Sequence, residues 1–148
     1  MDRLFSLVRC LFVIGLLLPF TSVAVEAADP IGLWLTSDGE AKIRITRCEK
    51  GICGTIVWLK EPNDSDGKPK TDRENVDQDL KKRPMLGLEI FHNLQQLAPN
   101  KYQGSLYNPD DGRTYDGQLE LGLDGLIKMK GCVFGGVICD DDVWSPTK

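Results

Sequence analysis

Histidine is almost missing from this 148-residue chain: His92 is the only one. Catalysis built on imidazole, or a histidine-rich zinc site, has little to draw on. No Gly-x-Ser-x-Gly stretch occurs, which excludes the nucleophile elbow of an α/β-hydrolase. No Cys-x-x-Cys spacing occurs, which removes the usual mark of dithiol redox chemistry. No apolar run approaches the about twenty residues that a membrane-spanning helix needs. Positive charge is in deficit, with 18 Lys and Arg against 22 Asp and Glu. That balance argues against nucleic acid as a partner, and no lysine-rich amphipathic helix points to a membrane surface.

What is present begins with an export signal. Arg3 and Arg9 precede an apolar run from Leu11 to Phe20, and Val25-Glu26-Ala27 fits a leader-peptidase site. The three parts predict a signal peptide over 1–27 and one domain over 28–148, placed in the periplasm or secreted. No stable membrane span is expected after cleavage. Cys10 follows Arg9 and precedes the apolar run, so it is not read as a lipid-bearing cysteine.

The remaining cysteines are Cys48, Cys53, Cys132 and Cys139, an even number in an exported chain. They read as a disulfide framework with three possible connectivities. Hairpin geometry favours the two local links. With Lys50-Gly51 as a two-residue turn, Cys48 faces Cys53 as a non-hydrogen-bonded pair at about 4.5 Å between α-carbons. With Gly135-Gly136 as turn, Cys132 faces Cys139 at about 5.5 Å. Both distances are within disulfide reach. Metal binding is not expected, because these spacings match no common zinc module.

Strand patterns fill the domain. Ile43 and Ile45 alternate with Lys42, Arg44 and Thr46, and Ile127 and Met129 alternate with Lys128 and Lys130. Strong turn sequences, Asn108-Pro109-Asp110-Asp111-Gly112 and Asp124-Gly125, punctuate the chain. Strands are also expected over 53–59, from Leu86 to Phe91, and from Val137 to Trp144. About eight short strands with no long amphipathic helix predict an all-β antiparallel barrel or sandwich.

One long polar loop, 60–84, interrupts the pattern and has the length of a lid or binding segment. Its Asn63-Asp64-Ser65-Asp66-Gly67 resembles a calcium loop only superficially. Placing Gly67 sixth would put Pro62 first and Arg73 twelfth, where oxygen donors are required. A solvated turn is expected instead. Asn75 to Leu80 is expected to form one helical turn, with Asp72 as its cap.

Nearly all of the domain resembles a bacterial family termed domain of unknown function 2147, small exported β proteins. The resemblance rests on Gly32-Leu33-Trp34, on Cys48 with Cys53-Gly54-Thr55-Ile56-Val57-Trp58-Leu59, and on Asn75, Asp77 and Leu80. It continues through Arg83-Pro84-Met85-Leu86-Gly87, Tyr107-Asn108-Pro109, Gly112-Arg113-Thr114-Tyr115, Gly131-Cys132, Cys139 and Trp144. Val76 departs from the family's usual proline, and Ser145-Pro146 replaces the Thr-Arg that often follows the tryptophan. The resemblance implies a calycin-like, lipocalin-like barrel and brings no established activity. Gly32-Leu33-Trp34 also resembles the lipocalin Gly-x-Trp signature, which implies that Trp34 packs in the barrel floor.

Binding is easier to motivate than catalysis in such a barrel, and no enzyme is expected, with a hydrolase as the remote alternative. Inward candidates are Ile43, Ile45, Ile56, Trp58, Tyr102, Leu106, Tyr115, Leu119, Ile127 and Met129. Ligand contacts are expected from Arg83, Tyr115, Trp58 and Tyr102. Arg83, after Lys81 and Lys82, would hold an anionic headgroup. The expected ligand is small and apolar or amphipathic, with no cofactor. The alternative is a filled barrel serving as a structural or protein-interaction module of the cell envelope. Asp110-Asp111 reads as a turn, and Asp140-Asp141-Asp142 as a solvated charge run. Nothing in the sequence fixes an oligomeric state.

Overall fold

The computed structural model describes residues 29–148. The expected signal peptide, 1–27, and Cys10 lie outside the described residues. Eight strands follow one another: β1 (Gly32–Leu35), β2 (Ala41–Cys48), β3 (Gly51–Leu59), β4 (Glu89–Ala98), β5 (Lys101–Asn108), β6 (Arg113–Leu121), β7 (Ile127–Val133) and β8 (Ile138–Pro146). Each pairs antiparallel with its neighbours, and β1 pairs with β8 through Trp34↔Pro146 and Leu35↔Ser145. The result is a closed eight-stranded barrel in simple meander order, with no helix among the described residues. Closure leaves no sheet edge free to template aggregation.

Period-two patterning sets the faces. Ile43 and Ile45 are buried while Arg44 and Thr46 are exposed. Ile127 and Met129 are buried while Lys128 and Lys130 are exposed. One end of the barrel is filled by Ile45, Ile52, Leu94, Tyr102, Leu119 and Leu121. Burying each such aliphatic side chain contributes about 1.5–3 kcal/mol. Trp34 is part of this core, and its indole Nε1 donates to the Pro30 carbonyl at 2.8 Å, which folds the N-terminal segment under the barrel. The family-implied floor position of Trp34 is therefore met.

Trp58 is the exception to the alternation. Ile43 pairs with Ile56 but Lys42 pairs with Trp58, so Val57 is an extra residue on β3. This bulge turns Trp58 out of the barrel. The indole is 40% exposed and lies beneath the Lys42 ammonium, 5.4 Å from the ring centroid.

Both disulfides form as local links, but neither hairpin has the expected turn. The β2–β3 turn is Glu49-Lys50, with Cys48 opposite Gly51 and Thr46 opposite Cys53. Cys48 and Cys53 are thus diagonal neighbours, with α-carbons 5.9 Å apart. The β7–β8 turn spans four residues, Phe134 to Val137, and Cys132 lies opposite Cys139. The longer turn reverses the hydrogen-bonding parity. The cysteines then occupy the closer kind of pair, with α-carbons 4.1 Å apart. The two links sit at opposite ends of the barrel.

The segment between β3 and β4 runs from residue 60 to residue 88, longer than expected because β4 starts at Glu89 rather than Leu86. Turns, not a helical turn, occupy 75–80. At 63–69 the chain makes a small hairpin in which the Asp64 carboxylate accepts from the Asp66 and Lys68 amides, both at 2.9 Å. This is the solvated turn read from the sequence.

Candidate functional site

The loops 36–40, 60–88, 109–112 and 134–137 gather at the end opposite the filled core, and there the barrel opens. A cavity of about 1160 Å³ enters between them. Its apolar depth is made by Ile43, Ile56, Ile90, Phe91, Met129 and Trp144, which are themselves buried and continuous with the packed core. Phe91 reaches this position because Gly54, its partner across β3 and β4, has no side chain. A β-carbon there would lie 2.2 Å from the ring.

The long loop is fixed, not slack. Asp72 is fully buried and acts as the hub for three polar side chains. Its Oδ2 accepts from Arg83 Nε at 2.7 Å and from Asn75 Nδ2 at 2.8 Å. Its Oδ1 accepts from the Tyr107 hydroxyl of β5 at 2.6 Å. Asn75 Nδ2 also donates to the Tyr107 oxygen at 2.8 Å, and the Arg83 guanidinium lies 5.0 Å from the centroid of the Tyr107 ring. The network ties residues 72–83 of the loop to the barrel wall. Gly112, at φ +70°, completes the attachment. A β-carbon there would meet the Glu74 carbonyl at 1.9 Å, so the β5–β6 turn touches the loop backbone directly. Burial opposes the Arg83 charge, but hydrogen bonds to Asp72 and Tyr107 win and raise its pKa. Burial, reinforced by the bond to Asp72, raises the Tyr107 pKa above the ordinary tyrosine value.

The rim is acidic. Ten carboxylate side chains contribute to the lining (Asp38, Glu40, Glu61, Asp64, Glu74, Asp110, Asp111, Asp140, Asp141 and Asp142) against Lys70 and Arg73. Glu40, Glu61 and Glu74 are spent on Lys60, Lys70 and Arg73. The seven aspartates have no ion-pair partner among the described residues. On β8, Asp140 lies opposite Gly131 and Asp142 opposite the buried Met129, in step with inward-facing Trp144. Asp140 and Asp142 therefore stand on the inner-face side of β8; Asp140 and Asp141 are still exposed, as a solvated charge run would be, while Asp142 is half-buried. Asp142 Oδ2 accepts from the Trp144 indole Nε1 at 2.6 Å. Loss of water pushes the Asp110 carboxyl above the ordinary aspartate range, and the charges of Asp38 and Asp111 add to this. Asp38 moves the other way, held low first by the Thr36 hydroxyl.

Of the four side chains expected to contact ligand, only Tyr115 lines the cavity. Its hydroxyl donates to Asp111, and that bond raises its pKa. Arg83 is spent on Asp72 and Tyr107 and does not line the cavity, so it is not placed to hold an anionic headgroup. Tyr102 is packed in the filled end and Trp58 is on the outer wall. His92 also lies outside, with Nδ1 2.8 Å from Glu89 and 3.3 Å from Cys53 Sγ. Cys48, Cys53 and His92 cluster as metal ligands would, but both sulfurs are consumed in the disulfide and offer no thiolate. The sequence reading missed the Asp72 hub and the inward aspartates. Counting by twos from Trp144 would have found Asp140 and Asp142. No local signal marks Asp72, whose partner Tyr107 is 35 residues away.

A meander barrel of eight antiparallel strands, packed at one end and hollow at the other, is a calycin-like, lipocalin-like fold. A solved structure described as "Protein HP1028 from the human pathogen Helicobacter pylori belongs to the lipocalin family" shares it, with a TM-score of 0.67 and 18% identity. That match covers 81% of this chain and 84% of the other. The chain belongs to the family described as "Uncharacterized protein conserved in bacteria (DUF2147)", whose model matches residues 32–145. Comparison with curated proteins finds no match.

Proposed function

We propose that this protein is an exported carrier or sensor that holds a small amphipathic molecule in the open half of its barrel. The observation that carries this reading is the cavity itself. Its volume, about 1160 Å³, is more than enough for a small molecule, and apolar side chains lie beneath its polar, acidic mouth. The Asp72 network supports it further by holding a long loop over the mouth in one arrangement, so less order has to be imposed on binding. Two disulfides in a small domain suit an oxidising compartment outside the cytoplasm. Binding is favoured over catalysis because His92 is on the outer wall beside a disulfide and does not line the cavity. The unpaired aspartates of the rim likewise disfavour nucleic acid.

Native mass spectrometry of the protein purified from the periplasm tests the reading. A fraction carrying one extra small-molecule mass per chain, released by organic extraction, is expected. Uniformly empty protein that also binds no apolar probe would sink it. A second reading rests on Phe134, Val137 and Ile138, which leave an apolar hairpin tip exposed beside the mouth. Such a tip would suit docking to another envelope protein. Pull-down by the wild type but not by Phe134→Ser would favour it.

A further inference from the structure

We infer that the ligand of this cavity is a cationic amphiphile, an apolar chain or ring system bearing an amine, bound with its positive charge against Asp140 and Asp142 on the inner face of β8. The inference rests on the ligand-binding reading above and names the chemical class. Strand alternation fixes the direction of both carboxylates. They stand on the same side of β8 as Trp144, above the apolar depth formed by Met129 and Phe91. A ligand with its tail in that depth has its polar end at their level. Neither aspartate has an ion-pair partner among the described residues. Anionic headgroups meet the opposite condition. The two lining cations are already paired, Lys70 with Glu61 and Arg73 with Glu74, so the lining offers such headgroups no free cation in compensation for the rim carboxylates. A fatty acid or phospholipid would bring like charge into a site where it is already crowded.

Three probes with the same dodecyl chain separate charge from apolar contact: dodecylammonium, dodecyl maltoside and dodecyl sulfate. Each is titrated below its micelle concentration while indole fluorescence is followed. Dodecylammonium is expected to bind at least roughly ten-fold more tightly than dodecyl sulfate, with the maltoside between them. The double variant Asp140→Asn with Asp142→Asn should lose roughly ten-fold in dodecylammonium affinity and keep its maltoside affinity. Asp116→Asn with Asp124→Asn removes the same charge from exposed positions outside the cavity and should change neither. Equal affinity for the three probes, or an equal loss in both double variants, overturns the cationic assignment while leaving ligand binding intact. No binding of any probe overturns both.

Discussion

Asp72 looks unremarkable in the sequence, one acid in a polar loop, yet it is fully buried with both carboxylate oxygens engaged. Removing it leaves Arg83 and Tyr107 without their acceptor. Arg83 remains about a third exposed, so water recovers part of the loss. Asp72→Ala should therefore cost about 2–3 kcal/mol, below the full penalty for breaking a buried pair, as read by urea unfolding. Trp58→Ala is expected to leave probe binding unchanged, because the indole lies outside the barrel. Asp110 gives a contrary sign. An acid whose pKa is raised by folding destabilises the native state at neutral pH, and the penalty fades as pH falls through that raised value. Asp110→Asn should stabilise the protein at pH 7 by under about 1 kcal/mol and have no effect at about pH 3.

The hairpins carry the disulfides, and their chemistry is directly testable. Non-reducing tryptic mapping should yield Cys48-Glu49-Lys50 joined to the peptide 51–60. Peptide 131–148 should appear with Cys132 linked to Cys139 inside it. A link between residue 48 and residue 132 or 139 would contradict the structure. Replacing either pair by serine should cost about 2–2.5 kcal/mol, since each closes a short loop. These elements also show how far the sequence could be read. Alternation at Ile43, Ile45, Ile127 and Met129 made the strands and their inner face legible. Local proximity made both pairings legible even though each turn was misplaced. Register was not legible, because turn length and bulges depend on contacts beyond the hairpin. The extra Val57 sends Trp58 outward without any mark in the sequence, and Asn93, at φ 53°, interrupts β4 in the same unsignalled way. The long loop was recognised by its length. Its attachment was not, because the contacts among Asp72, Arg83 and Tyr107 exist only once the barrel has closed.

The whole molecule is a barrel with two unlike halves, one packed for stability and one hollow and acid-rimmed. All three tyrosines reflect how the halves are sealed. Burial raises the pKa of Tyr102 and Tyr107, and the bond to Asp111 raises that of Tyr115. A raised tyrosine pKa means that the native state keeps its proton longer than the unfolded chain, so stability is retained below about pH 10 and lost as pH rises through the native values. Tyrosinate absorbance at pH 10 should accordingly be less than half developed in native protein and should increase on unfolding. The hollow half is the central claim, and filling it is the most direct test. Gly131 lines the cavity, and a β-carbon there makes only ordinary contact with Tyr115 at 3.5 Å. In a titration with the neutral fluorescent probe N-phenyl-1-naphthylamine, wild-type protein should saturate at one probe per chain. Gly131→Leu should unfold at the same or higher urea concentration and bind the probe more weakly. Unchanged probe binding by a folded Gly131→Leu protein, or no saturable binding by the wild type, would contradict the account.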